Sequence, residues 1–285
     1  MSAHNRNTRL KNKVVWITGA SSGIGEALSY ELARLGARLI LSARNANNLK
    51  RVHQNIRDLG AQSSILILDL EEHDILNSKA AEAISIYGHI DYLINNAGVA
   101  VRDFVHSTDI SIDKKLMDIN YFGPIVLSKA LLPHFTERKS GHYVIISSLS
   151  GKYGVPRVAS YAASKHALHG FFETLRSETV DLGIYITIVV PGIIQTNITA
   201  HAVKGDGQKT GRVEETFKKA YPVEKAAKKI VAATISRKEE VFVGGFEGIT
   251  LLMNRISPWL LRRFIRNHPI KRLRNIKKFF SLNRK

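Results

Sequence analysis

Short stretches rich in β-branched and other apolar residues recur along the chain, and segments of helical length and pattern separate most of them. The stretches are Val14–Thr18, Arg38–Ser42, Ser64–Leu68, Tyr92–Asn95, His142–Ser147, Ile184–Val190 and Glu240–Val243. Strands that alternate with helices are typical of right-handed βαβ units sharing one parallel sheet. We therefore predict an α/β fold, a single doubly wound domain whose mostly parallel central sheet has about seven strands flanked by helices.

Two of these stretches are nearly continuous apolar runs, Ile65 to Leu68 and Ile186 to Val190. Such runs are typical of strands that are covered on both faces, so we expect a buried central sheet. The pattern divides the chain into an N-terminal arm (residues 1–11), a main α/β body (12–246) and a C-terminal tail (247–285). Within the body, the polar and glycine-rich segment from Gly192 to Tyr221 predicts a mobile lid.

The tail repeats apolar residues at near-helical spacing, and Pro258 predicts the start of a second helix after a break. The two stripes are Ile249, Leu252, Met253, Ile256, Leu260 and Phe264, followed by Ile270, Leu273, Ile276 and Phe280. Eleven Lys or Arg residues and no Asp or Glu follow Glu247, which leaves +7 of the net charge of +18 to the first 247 residues.

Two interpretations of this basic amphipathic tail stay open. A helix with an apolar face and many basic residues suits the surface of an anionic membrane. Alternatively, the first apolar stripe docks on the body or on a second subunit, and the charges are only solvated. The charge comes without any nucleic-acid recognition motif, so we do not expect nucleic acid as a partner.

Composition limits the remaining classes. A chain of 285 residues with 44% hydrophobic and 23% charged residues is typical of a folded, soluble domain. The absence of cysteine excludes disulfides and thiolate metal sites. No apolar stretch has the length of a spanning helix, and the basic N-terminus has no apolar signal region. We expect a cytoplasmic protein, with peripheral membrane association if the tail binds lipid.

The segment from Thr18 to Gly25, with Gly19, Gly23 and Gly25, joins the first strand to the first helix. Glycines permit a sharp turn, close approach of the backbone to a phosphate, and close packing of helix on strand. A dinucleotide pyrophosphate would then lie at the helix N-terminus, with hydroxyl donors from Ser21 and Ser22. The spacing predicts a Rossmann-type nucleotide site, although a purely structural turn could use the same residues.

Other motifs follow the later strands at fixed spacing. Asn95-Asn96-Ala97-Gly98 closes the fourth strand, Asn120 lies in a following helix, Ser148 ends the fifth strand, and Pro191-Gly192 follows the sixth with Thr196 after it. Tyr161 stands thirteen residues after Ser148 and four before Lys165. With the glycine segment, this pattern resembles the short-chain dehydrogenase/reductase family over roughly residues 10 to 245.

The residue types at 161 and 165 suit proton transfer. A carbonyl reductase must deliver hydride to carbon and a proton to oxygen, so it needs an acid. A free tyrosine ionises near pH 10, and a nearby cation lowers that pKa. Tyr161 and Lys165 are four residues apart and share one helix face, so we expect the Lys165 charge to lower the pKa of Tyr161.

The family resemblance implies roles for further residues. Ser148 would polarise the substrate oxygen, Lys165 would also bind the nicotinamide ribose, and Asn120 would support a water-mediated proton relay behind Lys165. The cofactor contacts that it implies include the glycine segment with Ile24, and also Asp69, Leu70, Asn96, Ala97, Ile194 and Thr196. The resemblance also suggests a homo-oligomer, a dimer or tetramer.

The end of the second strand bears on cofactor choice. Ala43 stands where NAD-preferring relatives typically carry Asp, and Arg44 follows it. Arginine can pair with a ribose 2′-phosphate, whereas an acid would repel it, so NADP(H) is favoured over NAD(H) unless Arg44 is an ordinary surface residue.

These observations predict an NADP(H)-dependent oxidoreductase that transfers hydride between nicotinamide and a carbonyl or secondary alcohol, with Tyr161 as general acid or base. The substrate would be lipophilic if the tail binds a membrane. The alternative is a non-catalytic nucleotide sensor or membrane adaptor on the same fold. No metal site is predicted, because His166 and His169 come without a third ligand at suitable spacing.

Overall fold

Seven parallel strands form one central sheet in the computed structural model, which describes residues 9–212, 214–218 and 220–266. The strands are β1 (Val14–Thr18), β2 (Arg38–Ala43), β3 (Ser63–Ile67), β4 (Tyr92–Asn95), β5 (Gly141–Ile146), β6 (Ile184–Pro191) and β7 (Glu240–Val243). Their order across the sheet is β3-β2-β1-β4-β5-β6-β7. The predicted doubly wound α/β fold is confirmed, and each predicted strand lies within one residue of its place in the structure.

Helices cover both faces of this sheet. They are α1 (Gly23–Arg34), α2 (Ala46–Asp58), α3 (Leu76–Tyr87), α4 (Ile110–Met117), α5 (Gly123–Glu137), α6 (Ala159–Thr179), α7 (Ile198–His201), α8 (Glu215–Lys218), α9 (Val223–Ile235), α10 (Ile249–Ile256) and α11 (Pro258–Arg266). Apolar side chains of α1, α2 and α9 fill one core, and those of α3, α5 and α6 fill the other.

Strand β1 shows how the two cores are separated. Val15 and Ile17 enter the core beneath α1 and α9, whereas Val14 and Trp16 enter the opposite core, as alternation along a strand requires. The buried Trp16 indole donates its Nε1 proton to Ser42 Oγ at 2.9 Å across the β1–β2 pair. All of β1 is therefore covered on both faces, as expected for a central parallel strand.

The apolar run at β3 does not have the two-sided cover that its sequence predicts. Strand β3 lies at the edge of the sheet and pairs only with β2, and the Ile67 side chain is 43% exposed. Strand β6 contains the other run and lies between β5 and β7, where every residue except Tyr185 is buried. The two strands differ in exposure because β3 lies at the edge of the sheet and β6 lies inside it. The apolar runs alone do not indicate that position.

The parallel arrangement brings the carboxyl ends of all strands to one edge. Strand order reverses between β1 and β4, and ligands of doubly wound sheets bind in the crevice above such a switch point. The segments that begin at Gly19, Asn96, Ser147 and Gly192 all leave the sheet at this edge. The last residue of the predicted lid is hydrogen-bonded to its first residues: Tyr221 N donates to Ile193 O, and Gln195 N donates to Tyr221 O.

The described part of the tail forms two helices, α10 and α11, and α11 begins at Pro258 as predicted. Helix α10 docks on the body through Tyr153 Oη and Thr250 Oγ1, 2.6 Å apart, and through Asn254, whose Nδ2 donates to Lys152 O at 3.2 Å. None of the helices between residues 9 and 266 combines the length and apolar character of a bilayer-spanning segment. The second predicted stripe, residues 270 to 280, lies outside the described residues.

Contacts also cross both predicted boundaries of the body. Glu247 Oε1 accepts hydrogen bonds from Ile193 N at 2.8 Å and from Gly245 N at 3.1 Å. At the other end, Arg9 donates to Ile235 O and Leu10 is buried in the core. The first residue of the predicted tail thus anchors the first residues of the lid.

Candidate active site

The loop between β1 and α1 depends on its glycines. Gly19 and Gly23 have φ angles of +67° and +57°, in the left-handed region that residues with a Cβ avoid. A Cβ on Gly25 would overlap with the carbonyl oxygen of Gly19. This close packing brings the N-terminus of α1 against the end of β1, as the sequence predicts.

Asn96 and Thr18 hold this loop in place. Asn96 Nδ2 donates to Thr18 O at 3.0 Å and to Gly19 O at 3.1 Å. Thr18 Oγ1 accepts from the backbone N–H groups of Asn96 and Ala97, both at 3.1 Å. Asn96 and Ala97, predicted to line a cofactor channel, therefore also fix the glycine loop to the loop that follows β4.

The N-terminus of α1 is suited to an anion. Ser22 occupies the N-cap position, and within the described chain its side chain makes no capping hydrogen bond. The first-turn N–H groups and the positive end of the helix dipole thus face the crevice beside Ser21. Thr196 approaches from the lid, with its Cγ2 atom 3.3 Å from the position of a Cβ on Gly23. These residues fit a dinucleotide pyrophosphate.

The residues predicted for the adenosine end gather after β2 and β3. Arg44 Nη1 lies 3.7 Å from Asp69 Oδ2, and the Arg44 side chain is 55% exposed. Asp69 Oδ1 also accepts a hydrogen bond from Glu71 N at 3.1 Å. Leu70 is buried and packs against Gly123 at the start of α5. Arg44 is therefore close to the crevice, and the Asp69 carboxylate partly neutralises its charge.

The predicted catalytic residues come together at the carboxyl end of β5. Tyr161 lies in the first turn of α6, and its hydroxyl is hydrogen-bonded to the Ser148 side chain. Lys165 lies one turn later, with Nζ 5.7 Å from the centre of the Tyr161 ring. Ser148 Oγ also accepts from Ser150 N at 3.1 Å, which fixes the serine at the strand end. The helical spacing that the sequence shows thus produces one cluster.

Lys165 is a buried cation. Its ammonium donates to Ile146 O at 2.8 Å, and the residue is 4% exposed. Burial lowers the pKa of Lys165 to about 8. The proton on Nζ is therefore held weakly enough to exchange near neutral pH.

The pKa of Tyr161 differs from the sequence-based expectation, because it is raised and not lowered. Burial is the largest effect and raises this pKa, while the hydrogen bond from Ser148 and the positive charge of Arg102 oppose it. The phenol therefore stays protonated at neutral pH in the cofactor-free chain. The cation that lowers the pKa of Tyr161 here is Arg102.

Arg102 is a site residue that the sequence analysis missed. It follows β4, and its Nη2 atom lies 2.9 Å from Glu214 Oε2 in the lid. Burial lowers the pKa of Arg102, and Glu214 opposes this effect. The Arg102 backbone N–H also donates to Val203 O at 2.8 Å. Its place beside Tyr161 arises from these lid contacts, which no local motif signals.

Asn120 lies in a π-helical turn, Asp118–Phe122, between α4 and α5, and not in a regular helix as predicted. Its Oδ1 accepts from Val99 N at 2.8 Å, and its Nδ2 donates to Val99 O at 2.8 Å and to Ser164 Oγ at 3.1 Å. A Cβ on Gly98 would lie within 4 Å of both Asn120 Oδ1 and Lys165 Nζ. Asn120 therefore lies beside Lys165, with its amide used to bind the loop after β4.

Ile194 and Thr196 lie at the start of the lid. Ile194 is buried and forms a bridge with Tyr221. Thr196 Oγ1 donates to Ile194 O at 3.4 Å. Ile24, the remaining predicted contact, is partly buried against the core beneath α1.

Comparisons with known proteins agree with this geometry. Residues 13–207 match the family model described as short chain dehydrogenase. The chain is 38% identical over 257 residues to "Dehydrogenase/reductase SDR family protein 7-like" from Drosophila melanogaster, covering 88% of this chain and 79% of that protein. It is 36% identical over 263 residues to "Dehydrogenase/reductase SDR family member 7B" from Rattus norvegicus, covering 90% and 81% respectively.

Solved structures show the same architecture. A short-chain dehydrogenase from Streptomyces avermitilis superposes with a TM-score of 0.75 at 29% identity, covering 87% of this chain and 94% of that one. A metagenomic short-chain oxidoreductase, solved in complex with NADP, gives a TM-score of 0.67 at 28% identity, covering 82% and 97%. The family-model match over residues 13–207 and these relatives show that the chain belongs to the short-chain dehydrogenase/reductase family.

Proposed function

We propose that this protein is an NADP(H)-dependent oxidoreductase that interconverts a carbonyl group and a secondary alcohol. The observation that carries this proposal is the cluster of Ser148, Tyr161 and Lys165 at the same sheet edge as the glycine loop. The relatives' names include dehydrogenase and reductase, and one structural neighbour was solved with NADP. These names support a nicotinamide cofactor and hydride chemistry.

The cofactor, when bound, supplies or accepts a hydride at the substrate carbon. Tyr161 donates a proton to the carbonyl oxygen during reduction, and its raised pKa keeps the hydroxyl protonated for that step. Ser148 donates a hydrogen bond to the same oxygen and stabilises the negative charge that develops there. Lys165 holds an exchangeable proton at Nζ one turn away, and Asn120 fixes the loop that closes over this ammonium.

The non-catalytic sensor and the membrane adaptor remain the competing functions. A protein that only binds the nucleotide does not need a buried ammonium beside a hydroxyl pair, because burying a cation costs free energy without adding a phosphate contact. The buried position of Lys165 therefore favours the enzyme.

Replacing Tyr161 with Phe tests the catalytic role. The variant keeps the ring and loses the proton donor, so we expect NADPH turnover with a panel of ketones and aldehydes to fall by about 10²–10⁴-fold. NADPH binding, followed by cofactor fluorescence, should stay within a few-fold of the unaltered protein. Tyr185→Phe removes a partly exposed hydroxyl near the opposite edge and is the matched control. Equal turnover by both variants would refute the catalytic role of Tyr161, and a complete lack of turnover by the unaltered protein across the panel would count against the enzyme assignment.

The lowered pKa of Lys165 predicts a pH dependence. Nζ loses its charge as the pH rises through about 8, so kcat/KM for NADPH-dependent reduction should decrease above that pH. In Lys165→Arg the guanidinium stays charged over the same range, and any residual activity should lack the decrease. A native profile that stays flat from pH 7 to 9.5 would contradict this role.

The preference for NADP(H) rests on Arg44, since Ala43 offers no acid to a ribose 2′-OH. Arg44 is exposed enough to move from Asp69 to a 2′-phosphate. A hydrogen bond to a charged group contributes about 1.5–3 kcal/mol. Arg44 thus has the reach and charge to select the phosphorylated cofactor.

Arg44→Asp should therefore lower the ratio of kcat/KM with NADPH to kcat/KM with NADH by roughly 10- to 100-fold. Arg57→Asp makes the same change of charge in the last turn of α2 and is the control. Equal losses with both cofactors, or an equal shift in the control, would count against a role for Arg44 in cofactor choice.

The described tail helices support attachment to an anionic membrane. Large apolar side chains on these two helices face solvent instead of packing on the body. Ile256 is 74% exposed and Trp259 is 64% exposed. Arg255, Arg262, Arg263 and Arg266 are exposed on the same two helices. Apolar groups among cations suit a headgroup boundary, and a lipophilic carbonyl substrate would fit that location.

Flotation with phosphatidylserine-containing liposomes tests this attachment. We expect the full chain to float at low salt and to be released as ionic strength rises. Replacing the four tail arginines with Gln should weaken binding at least about tenfold, because each basic residue near the surface contributes about 1 kcal/mol. Replacing Lys50, Arg57, Lys225 and Lys228 instead is the control. Failure of the intact chain to float would end the membrane proposal. A concentration-dependent dimer would then indicate that the apolar face of the tail packs on a second subunit. Cytoplasmic location and oligomeric state stay predictions.

A further inference from the structure

His169, Glu173 and Glu240 form a cluster about two turns along α6 from Tyr161. His169 and Glu173 are one turn apart on α6, and Glu240 begins β7. One ligand-type atom from each residue lies within 4.8 Å of the others. His169 Nδ1 is 3.5 Å from Glu173 Oε1 and 3.7 Å from Glu240 Oε2.

The imidazole is oriented as a ligand would be. His169 is 7% exposed, and its Nδ1 atom is buried without a hydrogen-bond partner among the described residues. The other ring nitrogen, Nε2, lies 3.0 Å from Ser147 Oγ. In the tautomer that carries its proton on Nε2, the ring donates to Ser147 Oγ, which in turn donates to Lys165 O at 3.4 Å. This arrangement leaves the Nδ1 lone pair directed at two carboxylates.

With the proton on Nε2, the Nδ1 lone pair and two carboxylates converge, and such a set of electron-pair donors is suited to a cation. A tetrahedral Zn²⁺ ion with bonds of about 2.0–2.1 Å separates its ligand atoms by roughly 3.4 Å. The separations between Nδ1 and each carboxylate are close to that value. A nitrogen ligand also favours Zn²⁺ over Mg²⁺ or Ca²⁺, which prefer oxygen ligands only. The contact between Nε2 and Ser147 Oγ would hold the ring in the orientation that ligation through Nδ1 requires.

We propose that His169, Glu173 and Glu240 form a binding site for a divalent transition-metal ion of the Zn²⁺ type, with solvent as the fourth ligand. The carboxylates open the site to solvent, since the Glu173 and Glu240 side chains are 52% and 42% exposed. The ion would join α6 to β7 directly behind Ser147, the residue before Ser148. The sequence analysis considered His169 only together with His166, because Glu240 is distant along the chain.

Lys152 competes for this site. Its Nζ atom lies 2.6 Å from Glu240 Oε2 and supplies a positive charge to the cluster in the metal-free chain. Binding of the metal must displace this ammonium from Glu240, which weakens the affinity. Lys152→Met removes the competing charge and is expected to bind the metal more tightly.

Titration of the EDTA-treated full chain tests the site, with isothermal calorimetry for Zn²⁺ and visible absorption for Co²⁺. We expect one tight Zn²⁺ per chain, a Co²⁺ spectrum of four-coordinate type, and a Tm that increases with Zn²⁺. His169→Gln should weaken binding at least about tenfold, and Lys152→Met should strengthen it several-fold. His166→Gln, a histidine one turn earlier on α6, is the matched control and should bind as the unaltered chain does.

A second variant keeps the test decisive if the buried His169→Gln change prevents folding. Glu173→Gln combined with Glu240→Gln changes exposed side chains only and should also remove the tight site while circular dichroism stays unchanged. Zn²⁺ affinity that is equal in the unaltered chain and in this double variant would overturn the proposal. The cluster would then be an ion-pair network completed by Lys152.

Discussion

The hydrogen bonds between Thr18 and the Asn96-Ala97 turn hold the two halves of the candidate site in position relative to each other. They cross the point where strand order reverses, and they join the glycine loop of one half of the sheet to the loop after β4 in the other. Asn120 and Val99 extend this connection toward Lys165. The glycine loop and the cluster of Ser148, Tyr161 and Lys165, carried by strands far apart in sequence, are thereby fixed relative to each other.

Burial and the nearby positive charge have opposite effects on the pKa of Tyr161. Burial raises the pKa of the phenol and lowers that of the Lys165 ammonium, so the two pKa values move apart and the ammonium becomes the stronger acid of the pair. Arg102 adds a positive charge whose position is set by Glu214 in the lid. The acidity of Tyr161 is therefore linked to the lid conformation, because moving Glu214 would release the cation that faces the phenol.

Features that depend on local spacing could be predicted from the sequence, and features that depend on distant contacts could not. Tyr161 and Lys165 share a helix face because they are four residues apart, and Gly25 is required by a turn only a few residues long. Arg102, in contrast, approaches Tyr161 through a partner more than a hundred residues later. The exposed Ile67 reflects the place of β3 at the sheet edge, and the pairing of His169 with Glu240 depends on β7. The π turn at Asn120 likewise has no signature in residue type.

Glu247 gives the tail a part in the architecture of the crevice. Its carboxylate accepts the N–H of Ile193 at the root of the lid and that of Gly245 just before α10. A chain cut after residue 246 would lose this acceptor and leave the Ile193 N–H, at the start of the lid, without its hydrogen-bond partner. The start of the tail and the start of the lid are therefore joined through one carboxylate, so that removing the tail also changes the backbone that borders the crevice.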